Sequence, residues 1–141
     1  MSDFPPPWID RSEAARSVAQ FHLRGGVHRN AWLNEEVRNF RSTLISEETV
    51  EAMDAIDGFD RRTGEYGMPV RADVAKELAD MLYVTYGAAD AFGIPLDAVF
   101  RLVHASNMTK LQPSGLVLRG DGKIMKPPTY RAPDLSNLIG D

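Results

Sequence analysis

The chain has 141 residues, 43% of them apolar and 26% charged, with a formal net charge of −4. That is one globular domain's worth of residues, and the negative balance argues against a general nucleic-acid binder, whose affinity comes from neutralising phosphates. The absence of cysteine excludes disulfides, thiolate metal sites and cysteine nucleophiles. No stretch approaches the roughly 20 apolar residues of a membrane span. The first thirty residues show no signal-peptide pattern, so a cytoplasmic protein without a membrane partner is expected.

Residues 1–11 read as an extended arm, because Pro5-Pro6-Pro7 does not suit a helix interior. Residues 12–141 then form a single all-α domain. Ser12 followed by Glu13 gives a cap and first turn for a helix over Ala14 to Leu23, which stops at Gly25-Gly26. A second helix begins near Asn30 to Asn34 and runs to Gly58, a natural C-terminal stop. Phe59 to Val70, with two glycines, a proline and several charges, reads as a loop. The third helix lies near Arg71 to Phe92 and ends at Gly93; Pro95 suits the first turn of a fourth, which reaches about Leu111. From Gln112 onward prolines and glycines forbid a long helix, and Leu116-Val117-Leu118 and Lys123-Ile124-Met125 could pair across Gly120-Asp121-Gly122. The expected architecture is a four-helix-bundle-like all-α fold with an ordered basic C-terminal tail. The third helix is apolar nearly all round from Leu78 to Phe92, as suits a central helix or one at a subunit interface. A homo-oligomer, a dimer or a tetramer built from dimers, is therefore expected.

Two acidic clusters interrupt this pattern. Glu47, Glu48 and Glu51 fall on the second helix along a stripe marked by Phe40, Leu44, Ala55 and Ile56. Glu77 and Asp80, three apart and so on one side of the third helix, run into Met81-Leu82-Tyr83-Val84. A run of glutamates ordinarily marks a solvated face. Here Glu47 and Glu51 form a like-charge pair four apart, which costs about 0.2–0.5 kcal/mol on an isolated helix. No Lys or Arg stands between Glu47 and Arg61 to relieve them. Arg41 or Lys76 could pair with one acid of the second cluster, hardly with all five. Acids facing one another on two helices joined by a single loop are chemically suited to holding Mg2+, a hard cation with oxygen ligands. Mn2+ is a possible substitute.

The tail supplies the opposite sign. Lys110, Arg119, Lys123, Lys126 and Arg131 form a basic run relieved by Asp121 alone, workable as a phosphate clamp beside a metal site. Asn107 could hydrogen-bond a phosphate oxygen or a sugar hydroxyl, and His104 is a minor candidate. Phe21, Trp32 and Trp8 are candidates for base stacking, though such rings more often serve packing.

Several of these segments together resemble the all-α nucleoside triphosphate pyrophosphohydrolases, the group containing MazG, dimeric dUTPases and phosphoribosyl-ATP pyrophosphohydrolase. The signature E-x-x-E then E-x-x-D is matched by Glu48-Thr49-Val50-Glu51 and Glu77-Leu78-Ala79-Asp80. Gln20-Phe21-His22, Val103-His104-Ala105-Ser106-Asn107-Met108-Thr109-Lys110, Asp121-Gly122-Lys123 and Lys126-Pro127 fit the same likeness, which covers roughly Ala19 to Asp134. The resemblance implies hydrolysis of a (deoxy)nucleoside triphosphate between the α and β phosphates, with dUTP preferred, to a monophosphate and pyrophosphate. It implies Glu48, Glu51, Glu77 and Asp80 as Mg2+ ligands, Glu47 as a further ligand or water holder, and one of Glu47 and Glu48 as general base. Asn107, Lys110, Lys123 and Lys126 would hold the triphosphate, with Tyr130 closing over the site. Phosphoribosyl-ATP, a modified nucleotide, or a non-enzymatic nucleotide-binding helical oligomer are the alternatives. The loop from Phe59 to Val70 matches no motif of the group.

Overall fold

Six elements follow one another in the structure, a computed structural model that describes residues 11–140. They are α1 (Glu13–Gly25), α2 (Glu35–Asp57), β1 (Phe59–Asp60), β2 (Glu65–Tyr66), α3 (Arg71–Phe92) and α4 (Leu96–Met108). The fold is mainly helical, as the sequence implies. The Pro-rich arm, apart from Arg11, lies outside the described residues, as does Trp8.

Local chemistry sets the helix ends. The Ser12 Oγ accepts the Ala15 N–H at 3.2 Å, and the Asn34 Oδ1 accepts the Val37 N–H at 3.1 Å. Each such cap contributes about 1 kcal/mol by satisfying an orphan donor. α2 stops at Gly58, which is held at φ 70°. A Cβ there would lie 2.1 Å from the Gly67 carbonyl oxygen, so the position needs glycine for space as well as for conformation. The Gly67 N–H in turn donates to the Gly58 carbonyl at 2.8 Å. Between them β1 and β2 pair antiparallel, with Phe59 opposite Tyr66 and Asp60 opposite Glu65. The segment expected as a loop thus contains a hairpin. Strands of two residues are too short to show an alternating pattern.

Packing divides the chain into two units, one ending at Ile94 and the other beginning at Pro95. In the first, α3 packs against both α1 and α2. Gly87, Ala88, Ala89 and Ala91 are its buried residues, and their small size lets the neighbouring backbones come close. The α2 stripe expected from sequence is corrected here, since Phe40 is 57% and Ile56 50% exposed. The face that α2 buries or half-buries instead runs Val37, Arg41, Leu44, Glu48, Ala52 and Ala55. Both faces carry apolar residues, and the small-residue surface of α3 selects between them. Leu78 and Leu82 on α3 remain half-exposed.

In the second unit the chain after α4 folds back on the helix end. The Ser106 Oγ donates to the Arg131 carbonyl at 2.6 Å, and the Arg131 N–H donates to the Thr109 Oγ1 at 2.8 Å. α4 ends at Met108 rather than near Leu111. Thr109, Lys110 and Leu111 instead donate to carbonyls three residues back, a tighter turn that closes the helix. The expected hairpin reduces to a single bridge, Leu118 to Ile124, flanked by Met125 N–H to Val117 and Arg119 N–H to Lys123 contacts of 2.8 Å. Among the described residues no helix is long and apolar enough to cross a membrane.

Candidate active site

α2 and α3 run in opposite directions: Arg41 lies against Gly87 near one end of the pair, and Glu51 meets Glu77 near the other. This brings one carboxylate oxygen from each of Glu48, Glu51 and Glu77 within 4.8 Å of one another. Glu48 and Glu77 are half-buried, while Glu51 stands at the exposed edge. The Oε2 atoms of Glu48 and Glu77 are buried and accept no hydrogen bond. An orphaned carboxylate oxygen inside a protein costs roughly 1–3 kcal/mol or more, so two beside each other call for a positive partner.

The Glu48 carboxyl is pushed above the usual carboxylate range, first by desolvation and then by the charges of Glu51, Asp80 and Glu77. Lys76 opposes that shift. Its Nζ sits 3.0 Å from the Glu77 Oε1 and 2.8 Å from the Asp80 Oδ2, so it pairs with both acids of the second cluster. The lysine is exposed, however, and one cation at the rim leaves the Oε2 of Glu77 without a partner. Glu47 is exposed and stands outside the converging group. One residue advances a helix by about 100°, which turns Glu47 away while Glu48 faces α3.

The donor set fits a divalent cation. The converging atoms are hard carboxylate oxygens spaced so that one ion could be shared, and Glu48 and Glu77 each hold a buried oxygen without a partner.

A second charged group, which the sequence analysis does not single out, lies further along α3, about three and a half turns beyond Glu77. Asp90 of α3 accepts from the Arg29 Nε at 2.9 Å and Nη2 at 2.8 Å, and meets the His22 Nδ1 at 2.8 Å. Burial pushes the Asp90 carboxyl up, but the hydrogen bonds and charges of Arg29 and His22 outweigh it and hold it below the usual range. Arg41 is buried beside them, its pKa lowered by desolvation and partly restored by Asp90. Arg41 therefore belongs to Asp90 rather than to the acid clusters. The signal was present in the sequence: a lone acid inside Gly87-Ala88-Ala89-Asp90-Ala91-Phe92 needs a partner.

The second unit gathers most of the tail residues singled out above. The Lys110 Nζ donates to the Asn107 Oδ1 at 2.8 Å, and the ammonium groups of Lys110 and Lys126 stand 5.7 and 4.8 Å from the Tyr130 ring centroid. Lys123 belongs instead to the Arg119–Asp121 turn, where its N–H donates to the Asp121 Oδ1 at 3.1 Å. His104 is exposed. In the first unit Phe21 meets Tyr83 edge-on at 5.8 Å and Trp32 meets Phe92 at 5.3 Å, so both rings have packing roles.

A family profile described as phosphoribosyl-ATP pyrophosphohydrolase matches residues 25–107, more than half of the chain and all of the acidic group. The chain belongs to that family. It is a pyrophosphohydrolase of the MazG-like all-α type, and both acidic helices lie within the matched residues. No curated protein matches the chain.

Proposed function

We propose that the chain hydrolyses a (deoxy)nucleoside triphosphate between its α and β phosphates in a Mg2+-dependent reaction, Mn2+ being a substitute, with dUTP as the preferred substrate. The observation that carries this reading is the convergence of Glu48, Glu51 and Glu77 with two buried, unpartnered oxygens. Glu48, Glu51, Glu77 and Asp80 would hold the cation. When bound, the cation neutralises charge on phosphate oxygens and lowers the pKa of water. One of Glu47 and Glu48 takes the proton of the attacking water as the P–O bond of the α–β bridge breaks and pyrophosphate leaves. In the second unit Asn107, Lys110, Lys123 and Lys126 are the proposed phosphate-holding groups, with Tyr130 as an aromatic cover. Phosphoribosyl-ATP is the second reading, favoured by the description of the matching family. Residues 12–141 would act as one domain. A second copy of the chain would cover apolar residues such as Leu78 and Leu82, which α3 leaves half-exposed.

The test is pyrophosphate release from a panel of triphosphates with and without Mg2+, on the wild type, Glu47→Gln and Glu48→Gln. Binding to the native state must stabilise it. A variant that has lost a ligand therefore loses the Mg2+-induced rise in Tm, whereas one that has lost only the base keeps that rise and loses turnover. Undiminished turnover in both variants, or no response of the wild type to Mg2+, would remove the proposed mechanism.

A further inference from the structure

A cleft of about 530 Å3 opens between the last turn of α2, the β1–β2 hairpin and the first turn of α3. Its volume falls in the range of small-molecule sites, roughly 300–1,000 Å3. Asp54 and Asp73 line it. Asp54 is one turn beyond Glu51 on α2, and Asp73 is one turn before Glu77 on α3, so the cleft adjoins the carboxylate group along the same two helices.

Its chemistry differs from that of a phosphate site. Four acids of the lining, Asp54, Asp60, Glu65 and Asp73, face two arginines. Both arginines are engaged: Arg61 bonds to Asp54, and Arg62 forks onto Asp60 at 3.1 and 3.2 Å. The balance of charge disfavours an anionic occupant. The hairpin also sets Phe59 opposite Tyr66, with ring centroids 5.0 Å apart, and leaves Tyr66 72% exposed. An exposed aromatic face beside fixed polar groups suits a flat, neutral, hydrogen-bonding ring.

We infer that this cleft is the nucleoside subsite, taking the neutral base and sugar of a substrate whose phosphates lie at the carboxylate group, and selecting against a substrate with a second phosphate at its base end. The inference rests on the pyrophosphohydrolase reading above and decides between its two substrates. Phosphoribosyl-ATP carries an additional phosphoribosyl group on the adenine, and its phosphate would enter an acid-rich wall. A simple nucleoside triphosphate brings no such charge.

The experiment measures kcat/KM by pyrophosphate release for a nucleoside triphosphate panel and for phosphoribosyl-ATP. Inorganic tripolyphosphate serves as a phosphate-only competitor. Tyr66→Ala should raise KM for its best nucleotide about tenfold, the size of a base–aromatic stacking contact, and leave tripolyphosphate inhibition within about twofold. The double variant Glu65→Gln with Asp73→Asn should raise the ratio of phosphoribosyl-ATP to nucleotide kcat/KM about fivefold by removing two acids from the wall. All these positions are exposed, and melting curves on each variant are to check that it folds. A nucleotide KM in Tyr66→Ala within twofold of the wild type, a substrate ratio in the double variant within twofold of the wild type, or phosphoribosyl-ATP as the best wild-type substrate, overturns the cleft assignment alone. Absence of pyrophosphate release from every triphosphate overturns the function and the cleft together.

Discussion

At two places along the interface of α2 and α3, Asp90 and Glu48 have met opposite fates. Around Asp90, α1 contributes His22, the following connector Arg29 and α2 Arg41, so one buried acid is surrounded by cations and donors supplied by the chain itself. Around Glu48 the same two helices bring up more acids, and the nearest relief is an exposed lysine at the rim. The first acid is fully partnered by the chain itself, although the Arg41 Nε beside it is buried without a partner. The second stays open, and its cheapest closure is a cation from outside. What separates the two places is whether the chain supplies the buried carboxylate oxygens with partners of its own, as it does for Asp90 and does not for Glu48.

The largest expected effects come from removing one acid of each group. Asp90→Ala leaves Arg29, Arg41 and His22 around a hole, and breaking a buried ion pair in this way costs about 3–5 kcal/mol. Urea unfolding should show the midpoint falling by an amount that matches. Glu48→Gln should do the reverse: turnover falls about 10²-fold or more, while the metal-free Tm holds or rises because a repelled charge is gone. A stable Asp90→Ala together with an unfolded Glu48→Gln would invert the comparison and end it.

Acid titration sharpens the contrast with a smaller effect. The folded chain holds the Glu48 proton more tightly than the unfolded chain, so this group stabilises at low pH. Its contribution is lost as pH rises through the raised value. Asp90 is depressed, so its contribution is present above the ordinary carboxylate pKa and is lost as pH falls through the lowered value. Without metal, lowering pH from neutrality should therefore raise Tm first, just above the ordinary carboxylate range, and reduce it below that range. The early rise depends on Glu51, Glu77, Asp80 and Lys76 facing Glu48, and either saturating Mg2+ or Glu48→Gln should abolish it. Melting curves across pH with and without Mg2+ check each part.

The same contrast explains what could be read in advance. The third helix was legible, since Gly93 ends a long apolar run, and three of the five acids singled out, Glu48, Glu51 and Glu77, come together, though not on the stripe through Phe40 and Ile56. Local punctuation and i to i+3 spacing carry that information. That Asp90 needs a partner was legible, but which residues supply it was not, because they come from three separate elements and no spacing in the chain links residue 22 with residue 90. The exposure of Glu47 was missed for a different reason. The stripe through Phe40 and Ile56 is a true apolar face, but α3 packs against its neighbour, and one residue of helical phase decides which glutamate faces inward. The hairpin escaped notice because its strands are two residues long.

Lys76 offers the smallest perturbation and the finest test. Its ammonium bonds to Asp80 and Glu77, interactions that raise its own pKa, so it stays charged throughout the accessible range. It thus stands in for part of the missing charge, at the rim, and competes with any cation for the same two carboxylates. Lys76→Ala removes the competitor and leaves the donor oxygens unchanged. The expected result is a lower metal-free Tm at low salt, because the acids lose their relief, together with Mg2+ binding tightened by about two- to fivefold. Both effects should shrink at high ionic strength, since an exposed ammonium is screened. Calorimetric titration with Mg2+ separates the possibilities. Weaker binding in Lys76→Ala would mean that the lysine orients the acids rather than competing for them, and would close the second group from within as Arg29 closes the first.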